Sequence, residues 1–306
     1  MVNQSSNTLC EWLYTGNKSF TEPFFDDTIS VCRRLPENSK PFKVVTDLQV
    51  MEDWSAGMDI AEPAAIIFHI SRCGSTLLSQ LLALDDTNIV LSEVPFFDAL
   101  LRLPLKDPSF TTKVSGDLLK AAVKYYSRKK TGNEKHVFIK ADSWHLHFYS
   151  QLRSVFPGVP FILLYRNPQE VILSQQRQRG MHSVPGIIEP AVFGFSNEQS
   201  GQPNLDLYMT AVLEGYFKKM IEISANDPLT LTVDYAEGFG IIINQIQALT
   251  GICFSAEMEN QLLERTRYHA KKPYELFKEE NNIVETPDYL TSVFALYRQL
   301  SKLRKR

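Results

Sequence analysis

Between Ala64 and Thr250, short apolar runs alternate with longer stretches in which apolar residues recur every three or four positions. The short runs, rich in β-branched and aromatic residues, are too brief for lone buried helices and read as strands covered on both faces. Strands are therefore predicted at Ala64–Ile70, Asn88–Leu91, His136–Lys140, Phe161–Tyr165 and Leu229–Val233. The recurring pattern predicts helices at Ser75–Leu84, Phe96–Leu103, Gly116–Lys130, Trp144–Phe156, Pro168–Gln178, Leu205–Ala225 and Gly240–Thr250. Pro157 and Gly158 stop one helix, and Pro168 suits the first turn of the next. Strand and helix in alternation predict an α/β fold, three layers around a central, mostly parallel five-stranded sheet.

Residues 1–60 behave differently. Trp12, Tyr14, Phe20, Phe24, Phe25 and Trp54 are interspersed with Pro23, Pro36 and Pro41 without a clean period. Aromatic density of this order argues against disorder. The expected organisation is an N-terminal segment, 1–60, packed on a core domain of 61–306 that ends in helices, with a strand around Val44–Val50. No internal repeat or low-complexity tract interrupts the chain.

Composition narrows the function classes. A chain of 306 residues with 44% hydrophobic and 22% charged residues is globular and able to bury a large core. Its net charge of −3 gives no general electrostatic reason to bind a nucleic acid polymer, though local basic clusters would still hold a single nucleotide. No run approaches the ~18 apolar residues of a membrane span, and the opening MVNQSSNTLCEW has neither a basic end nor an apolar core. The expectation is a soluble cytoplasmic protein without membrane contact. Cys10, Cys32, Cys73 and Cys253 are scattered, with neither zinc-site spacing nor the density of a disulfide framework.

The candidate chemistry lies where strands end, because ligands of open parallel sheets sit beyond the carboxyl ends of the strands. After the first strand, Ser71, Arg72, Cys73, Gly74, Ser75 and Thr76 form a small-residue turn into a helix, and Gly74 lets the backbone approach a ligand closely. A helix start offers unpaired N–H groups and partial positive charge to an anion. This is not a Walker A loop, since His69 stands at the first glycine and no lysine follows Gly74. The loop's fixed cation is Arg72, whose guanidinium suits forked contact with phosphate or sulfonate oxygens. Cys73 is open to two readings, a thiol activated at the helix start or a small residue filling a tight turn. Glu93 follows the second strand, Lys140 ends the third and Arg166 follows the fourth, so neighbouring strands would converge three cations and one carboxylate on one edge. Ser174 lies eight residues beyond Arg166, in the next predicted helix.

Strand, R-x-G-[ST]-T and helix resemble the 5'-phosphosulfate loop of the sulfotransferases, and the run from Arg166 to Ser174 resembles their 3'-phosphate motif, R-[DN]-P-x-[DE]-x-x-x-S. FIKADSWHLHFYSQLRSVFPGVPFILLYRNP is similar to the K-x-x…FP…F…R-[DN]-P segment of the tyrosylprotein and related bacterial branch. LTVDYAEGFG resembles its V-x-Y-E segment, with the glutamate displaced to Glu237. On these motifs, which run from about Ala64 to Gly251, the chain is identified as resembling the sulfotransferase family, with its P-loop NTPase-like fold.

That resemblance implies sulfonate transfer from 3'-phosphoadenosine 5'-phosphosulfate (PAPS) to a hydroxyl or amine, without a metal, releasing adenosine 3',5'-bisphosphate (PAP). It assigns Arg72, Cys73, Gly74, Ser75 and Thr76 to the 5'-phosphate loop, Arg166 and Ser174 to the 3'-phosphate, and Tyr235 to the nucleotide site. Lys140 falls on the lysine aimed at the sulfonate and its bridging oxygen, where it would neutralise charge developing on the departing phosphate. Glu93, twenty-one residues after Arg72, falls on the glutamate that takes the acceptor's proton. Asp142, two residues after Lys140, is the second candidate base or a partner orienting Lys140, while His145 and His147 are read as helix residues.

The sequence departs from the pattern in places. The R-K-G element of the cytosolic branch has no clear copy, although Lys271 or Lys272 in RYHAKKPY would do similar work, and an arginine expected near Gln178 is missing, with Arg177 and Arg179 flanking that position. The stretch from Gly180 to Pro203, carrying Met181, His182, Phe193 and Phe195, is long for a connection and is expected to act as an acceptor-binding lid. A small molecule, glycan or peptide would each serve as acceptor, and nothing in residues 1–60 selects among them. Two other classes stay open: a non-catalytic nucleotide-binding module, and a kinase-like phosphotransferase, against which the missing Walker lysine argues.

Overall fold

The computed structural model describes residues 8–270, 272–276 and 285–304. Five strands, β1 (Glu62–His69), β2 (Asn88–Ser92), β3 (His136–Lys140), β4 (Phe161–Tyr165) and β5 (Thr230–Asp234), form one sheet in the order β2-β3-β1-β4-β5. All four pairings are parallel. The α/β class is therefore as expected, and the sheet is wholly rather than mostly parallel. β2 and β4 are buried along their whole length and β1 over its last five residues, which is why their interiors are apolar without alternation, polar residues standing only at strand ends such as Asn88, Ser92 and His69.

The register sets the carboxyl edge. Lys140 pairs with Ser92 on one side and Ile67 on the other, His69 with Leu164, and Tyr165 with Asp234. Residues just beyond these pairs share that edge. The first of the following helices, α1 (Ser75–Leu82), starts from Gly74 at φ 82°, so the N-cap is Gly74, and Ser75 and Thr76 occupy the first turn. The helix after β4, α2 (Pro168–Arg177), is capped by Asn167, whose side chain accepts the Gln169 N–H at 2.9 Å, with Pro168 at the first helical position.

Several boundaries differ from expectation for local reasons. The helix expected over 116–130 runs from Thr112 to Tyr126, because the Thr111 hydroxyl caps Val114 at 3.2 Å. The one expected over 144–156 opens as a 3₁₀ turn, Ser143–Phe148, before α-helix Tyr149–Val155. There the side chains of Trp144 and His145 both reach Asp98, at 2.6 and 3.0 Å, which tightens the turn. The strand expected at 44–50 stops at Asp47, since Leu48 and Met51 turn into the core and the chain coils into helix Val50–Ser55.

Strand Val44–Asp47 pairs antiparallel with Leu9–Trp12, apart from the main sheet. Aromatic contacts fasten this N-terminal region to the helix Thr112–Tyr126: Trp12 on Tyr125 with centroids 4.9 Å apart, and Phe25 on Tyr126 at 5.2 Å. At the other end, helix Thr291–Arg304 packs against Leu205–Asn226, and Tyr297 donates to Asp234 at 2.8 Å. No helix among the described residues is long and apolar enough to cross a membrane.

Candidate active site

β1 ends at His69, and the chain reaches α1 through a tight turn in which Ser71 (φ 69°) and Arg72 (φ 49°) adopt left-handed backbone. One other non-glycine residue among those described does so, Glu93 at φ 55°. Such conformations cost an L-residue about 1–2 kcal/mol and persist where surrounding contacts impose them. All three fall on one edge of the sheet. The Ser71 N–H donates to His69 Nδ1 at 3.1 Å, and Gln175 Nε2 donates to Ser71 Oγ at 3.2 Å. Gly74 sits beneath Tyr235 and Phe239, and a Cβ there would fall 2.8 Å from both rings.

The Glu93 N–H donates to the Lys140 carbonyl at 2.8 Å, carrying the β2–β3 ladder one residue past Ser92. Lys140 Nζ, fully buried, lies 2.7 Å from Glu93 Oε1 and 3.5 Å from Thr76 Oγ1. His69 Nε2 is 3.3 Å from the same Glu93 oxygen. Burial would raise the Glu93 carboxyl, but the Lys140 charge, with His69 alongside, outweighs it and holds the group well below the usual carboxylate range. A carboxylate ionised at every physiological pH thus stands beside an ammonium at the mouth of the loop.

Arg166 reaches the same loop from β4. One guanidinium nitrogen donates to the Arg72 carbonyl at 3.3 Å, another pairs with Glu170, and the group lies 4.2 Å over the Tyr235 ring. The Arg72 guanidinium donates to the Gln178 carbonyl. The Arg166 side chain thus meets the backbone of the Arg72 turn on the same edge of the sheet, while the Arg72 guanidinium is directed to Gln178. Ser174 is half-buried within α2. Glu237 is turned into the fold, accepting from Asp234 N at 2.8 Å and Gln245 at 2.9 Å and pairing with Arg304.

Asp142 is buried and pointed at His145, whose Nε2 lies 3.5 Å away. Burial, opposed by His145 but reinforced by Glu93 and Asp98, pushes it up to about 7. Asp98 shares the same pocket but accepts from Trp144, His145 and Arg102; these contacts overcome its burial and bring it down to about 2. The ammonium of Lys140 is met by Glu93, not by Asp142. Cys73 faces inward, its Sγ 3.5 Å from the Leu164 carbonyl, and burial pushes the thiol up to about 11. The activated-thiol reading is thereby excluded: helix-start polarity does not offset a dry environment.

Neither Phe24 nor His69 was expected as a site residue from the sequence. The Phe24 ring lies 5.0 Å from Lys140 Nζ, so residues 1–60 do reach the site. Only the fold brings residue 24 to residue 140. A polar residue closing an otherwise apolar strand marks His69 in retrospect. The stretch 180–203 is not an open loop: it holds short helices at Met181–Ser183, Pro190–Phe193 and Asn197–Ser200. Its aromatics supply the packing an open loop lacks, with Phe193 stacked on Phe195 at 5.2 Å and edge-on to His147 at 5.6 Å. Arg102 bonds Glu189 at 2.5 Å and Arg179 pairs with Asp206. Lys271 lies outside the described residues; Lys272 belongs to a short strand, Lys272–Leu276, paired with Tyr268–His269.

No family model and no characterised protein sequence matches the chain. Among solved structures it is similar to a sulfotransferase domain from the curacin biosynthetic pathway, at 14% identity and TM-score 0.49, covering 79% of this chain and 99% of that one. It is also similar to a sulfotransferase from Alicyclobacillus acidocaldarius, at 16% identity and TM-score 0.45, covering 81% of this chain and 97% of that one. A mouse sulfotransferase complexed with PAP is similar at 10% identity and TM-score 0.38, covering 86% of this chain and 93% of that one. All three are sulfotransferases; the likeness is one of backbone path.

Proposed function

We propose that the chain is a sulfotransferase that moves a sulfonate group from PAPS to the hydroxyl or amine of a small-molecule, glycan or peptide acceptor. The observation that carries this reading is the meeting, beyond one sheet edge, of the Glu93 carboxylate, the Lys140 ammonium at 2.7 Å and the Arg72–Thr76 turn, with Arg166 3.3 Å from that turn's backbone. In this reading the turn and Arg72 hold the 5'-phosphosulfate, and Arg166 with Ser174 holds the 3'-phosphate through charge-assisted bonds. The Tyr235 ring, 4.2 Å beneath the Arg166 guanidinium, adds a cation–π contact that holds the group in place.

The acceptor oxygen or nitrogen forms a bond to sulfur as the bond from sulfur to the 5'-phosphate oxygen breaks, and Glu93 receives the acceptor's proton. Lys140 stabilises the charge that gathers on the departing oxygen, an interaction strongest in the transition state. PAP leaves, and Glu93 returns its proton to solvent readily because its neighbours favour the ionised form. Phe24 lies where it would wall the acceptor side of Lys140.

Calorimetric titration tests the donor class. PAP is expected to bind with no dependence on Mg²⁺ and more tightly than ATP. Preference for ATP with Mg²⁺ would reassign the loop to phosphoryl transfer.

A further inference from the structure

His69 is the last residue of β1, 4% exposed, and its two ring nitrogens face two different parts of the site. Nδ1 accepts the Ser71 N–H at 3.1 Å, at the first left-handed residue of the anion loop. A neutral imidazole whose Nδ1 accepts must carry its proton on Nε2. That nitrogen lies 3.3 Å from Glu93 Oε1, short of a straight hydrogen bond and buried with no other side chain to serve it. Lys140 Nζ takes the same oxygen at 2.7 Å.

We propose, resting on the reading of Glu93 as proton acceptor, that His69 is a positioning residue that couples the anion loop to the base. One ring edge holds the strained Ser71 turn in the shape that presents its backbone to a phosphosulfate. The other edge, with Lys140, fixes Oε1 of Glu93, which leaves Oε2 as the oxygen that meets the acceptor's proton. Loop and carboxylate, on separate strands, are thereby kept in one geometry by a single rigid ring.

The surroundings favour a ring that stays neutral. Burial, with a smaller push from the Lys140 charge, lowers its pKa against the opposing pull of Glu93 and of a hydrogen bond to the Ala141 backbone. His182, the other titratable group near the ring, is itself held neutral, its pKa brought down to about 3 chiefly by burial. A charged His69 would lose the Nδ1 lone pair and with it the Ser71 contact.

Two isosteric halves of the ring separate the two contacts. In His69→Asn the amide oxygen substitutes for Nδ1 but nothing reaches Glu93; in His69→Gln the amide N–H substitutes for Nε2 but the acceptor for Ser71 is withdrawn. His69→Asn is expected to keep PAP affinity, lose up to roughly tenfold in kcat and move the acid limb of the kcat/KM profile upward, a loss no larger than that of one ordinary hydrogen bond. His69→Gln is expected to weaken PAP binding by roughly tenfold while losing less in kcat than the asparagine variant. Equal losses of both quantities in both variants, or no loss in either, would reduce His69 to a packing residue. Nitrogen-15 NMR of the wild-type ring reads the same proposal without turnover: a neutral Nε2–H tautomer from pH 5.5 to 8 supports it, and a titrating ring or the Nδ1–H tautomer overturns it. Failure of the wild type to bind PAP, with the ring in the expected state, would instead sink the sulfotransferase reading.

Discussion

Glu93 and Asp142 stand beyond neighbouring strands on the same edge, each an acid placed after a buried apolar run, yet their surroundings shift them in opposite directions. Glu93 has an ammonium at 2.7 Å and is held ionised. Asp142 has burial, two carboxylates nearby and a histidine at 3.5 Å, and is pushed up to about 7. Desolvation acts on both in the same direction, so the nearest cation decides the outcome. A carboxyl that accepts a proton during turnover has to begin without one; Glu93 does so throughout the neutral range, whereas Asp142 is about half protonated near pH 7.

The contrast is broken most severely by removing the cation. Lys140→Met should leave Glu93 at a dry edge with only the neutral His69 ring beside it, costing about 3–5 kcal/mol in chemical denaturation if the carboxylate stays charged. A second substitution, Glu93→Gln in the same chain, should recover most of that loss; no recovery would mean that Lys140 stabilises the fold by packing alone. Gly74→Ala tests the loop that both groups face. Its Cβ would enter the 2.8 Å contact with Tyr235 and Phe239 at a left-handed φ, so about 2 kcal/mol of stability and most PAP affinity should be lost.

Asp142→Asn isolates the other acid through pH. The folded pKa of Asp142, about 7, lies above its unfolded value near 3.8. Between these limits the native state holds a proton that the unfolded state has released, so stability falls as pH rises, by up to about 1.4 kcal/mol per pH unit. The asparagine variant should flatten the dependence of Tm on pH between about 4 and 7. An unchanged slope would show Asp142 ionised throughout. Smallest of all is the thiol chemistry: at pH 8 iodoacetamide should modify the exposed Cys253 and leave Cys73 untouched in the native protein, since the latter is held up to about 11.

How much of this was legible beforehand follows from where the information sits. β3 and β4 begin and end where the apolar runs do, and β5 is displaced by one residue, because burial on both faces writes a continuous apolar signal. The converging strand ends were legible once parallel order was assumed, since each site residue is tied to a strand by a fixed offset. Side-chain partners were not. Whether Lys140 meets Glu93 or Asp142 depends on a left-handed turn at Glu93, and no local pattern announces a positive φ at a glutamate. The approach of Phe24 to Lys140 and the double contact of His69 are likewise consequences of packing between distant segments. Helices Ala256–Arg265 and Thr291–Arg304 lay beyond the matched motifs and were expected only as C-terminal helices, without bounds.

The assignment of the base is tested most directly by sulfonate release from PAPS across a panel of hydroxyl and amine acceptors, with Glu93→Gln and Asp142→Asn compared at saturating donor. Glu93→Gln should lose ~10²- to 10⁴-fold in kcat with PAP affinity retained, and Asp142→Asn should lose far less. Turnover that survives in Glu93→Gln and collapses in Asp142→Asn, with donor binding intact in both, would contradict the role given to Glu93.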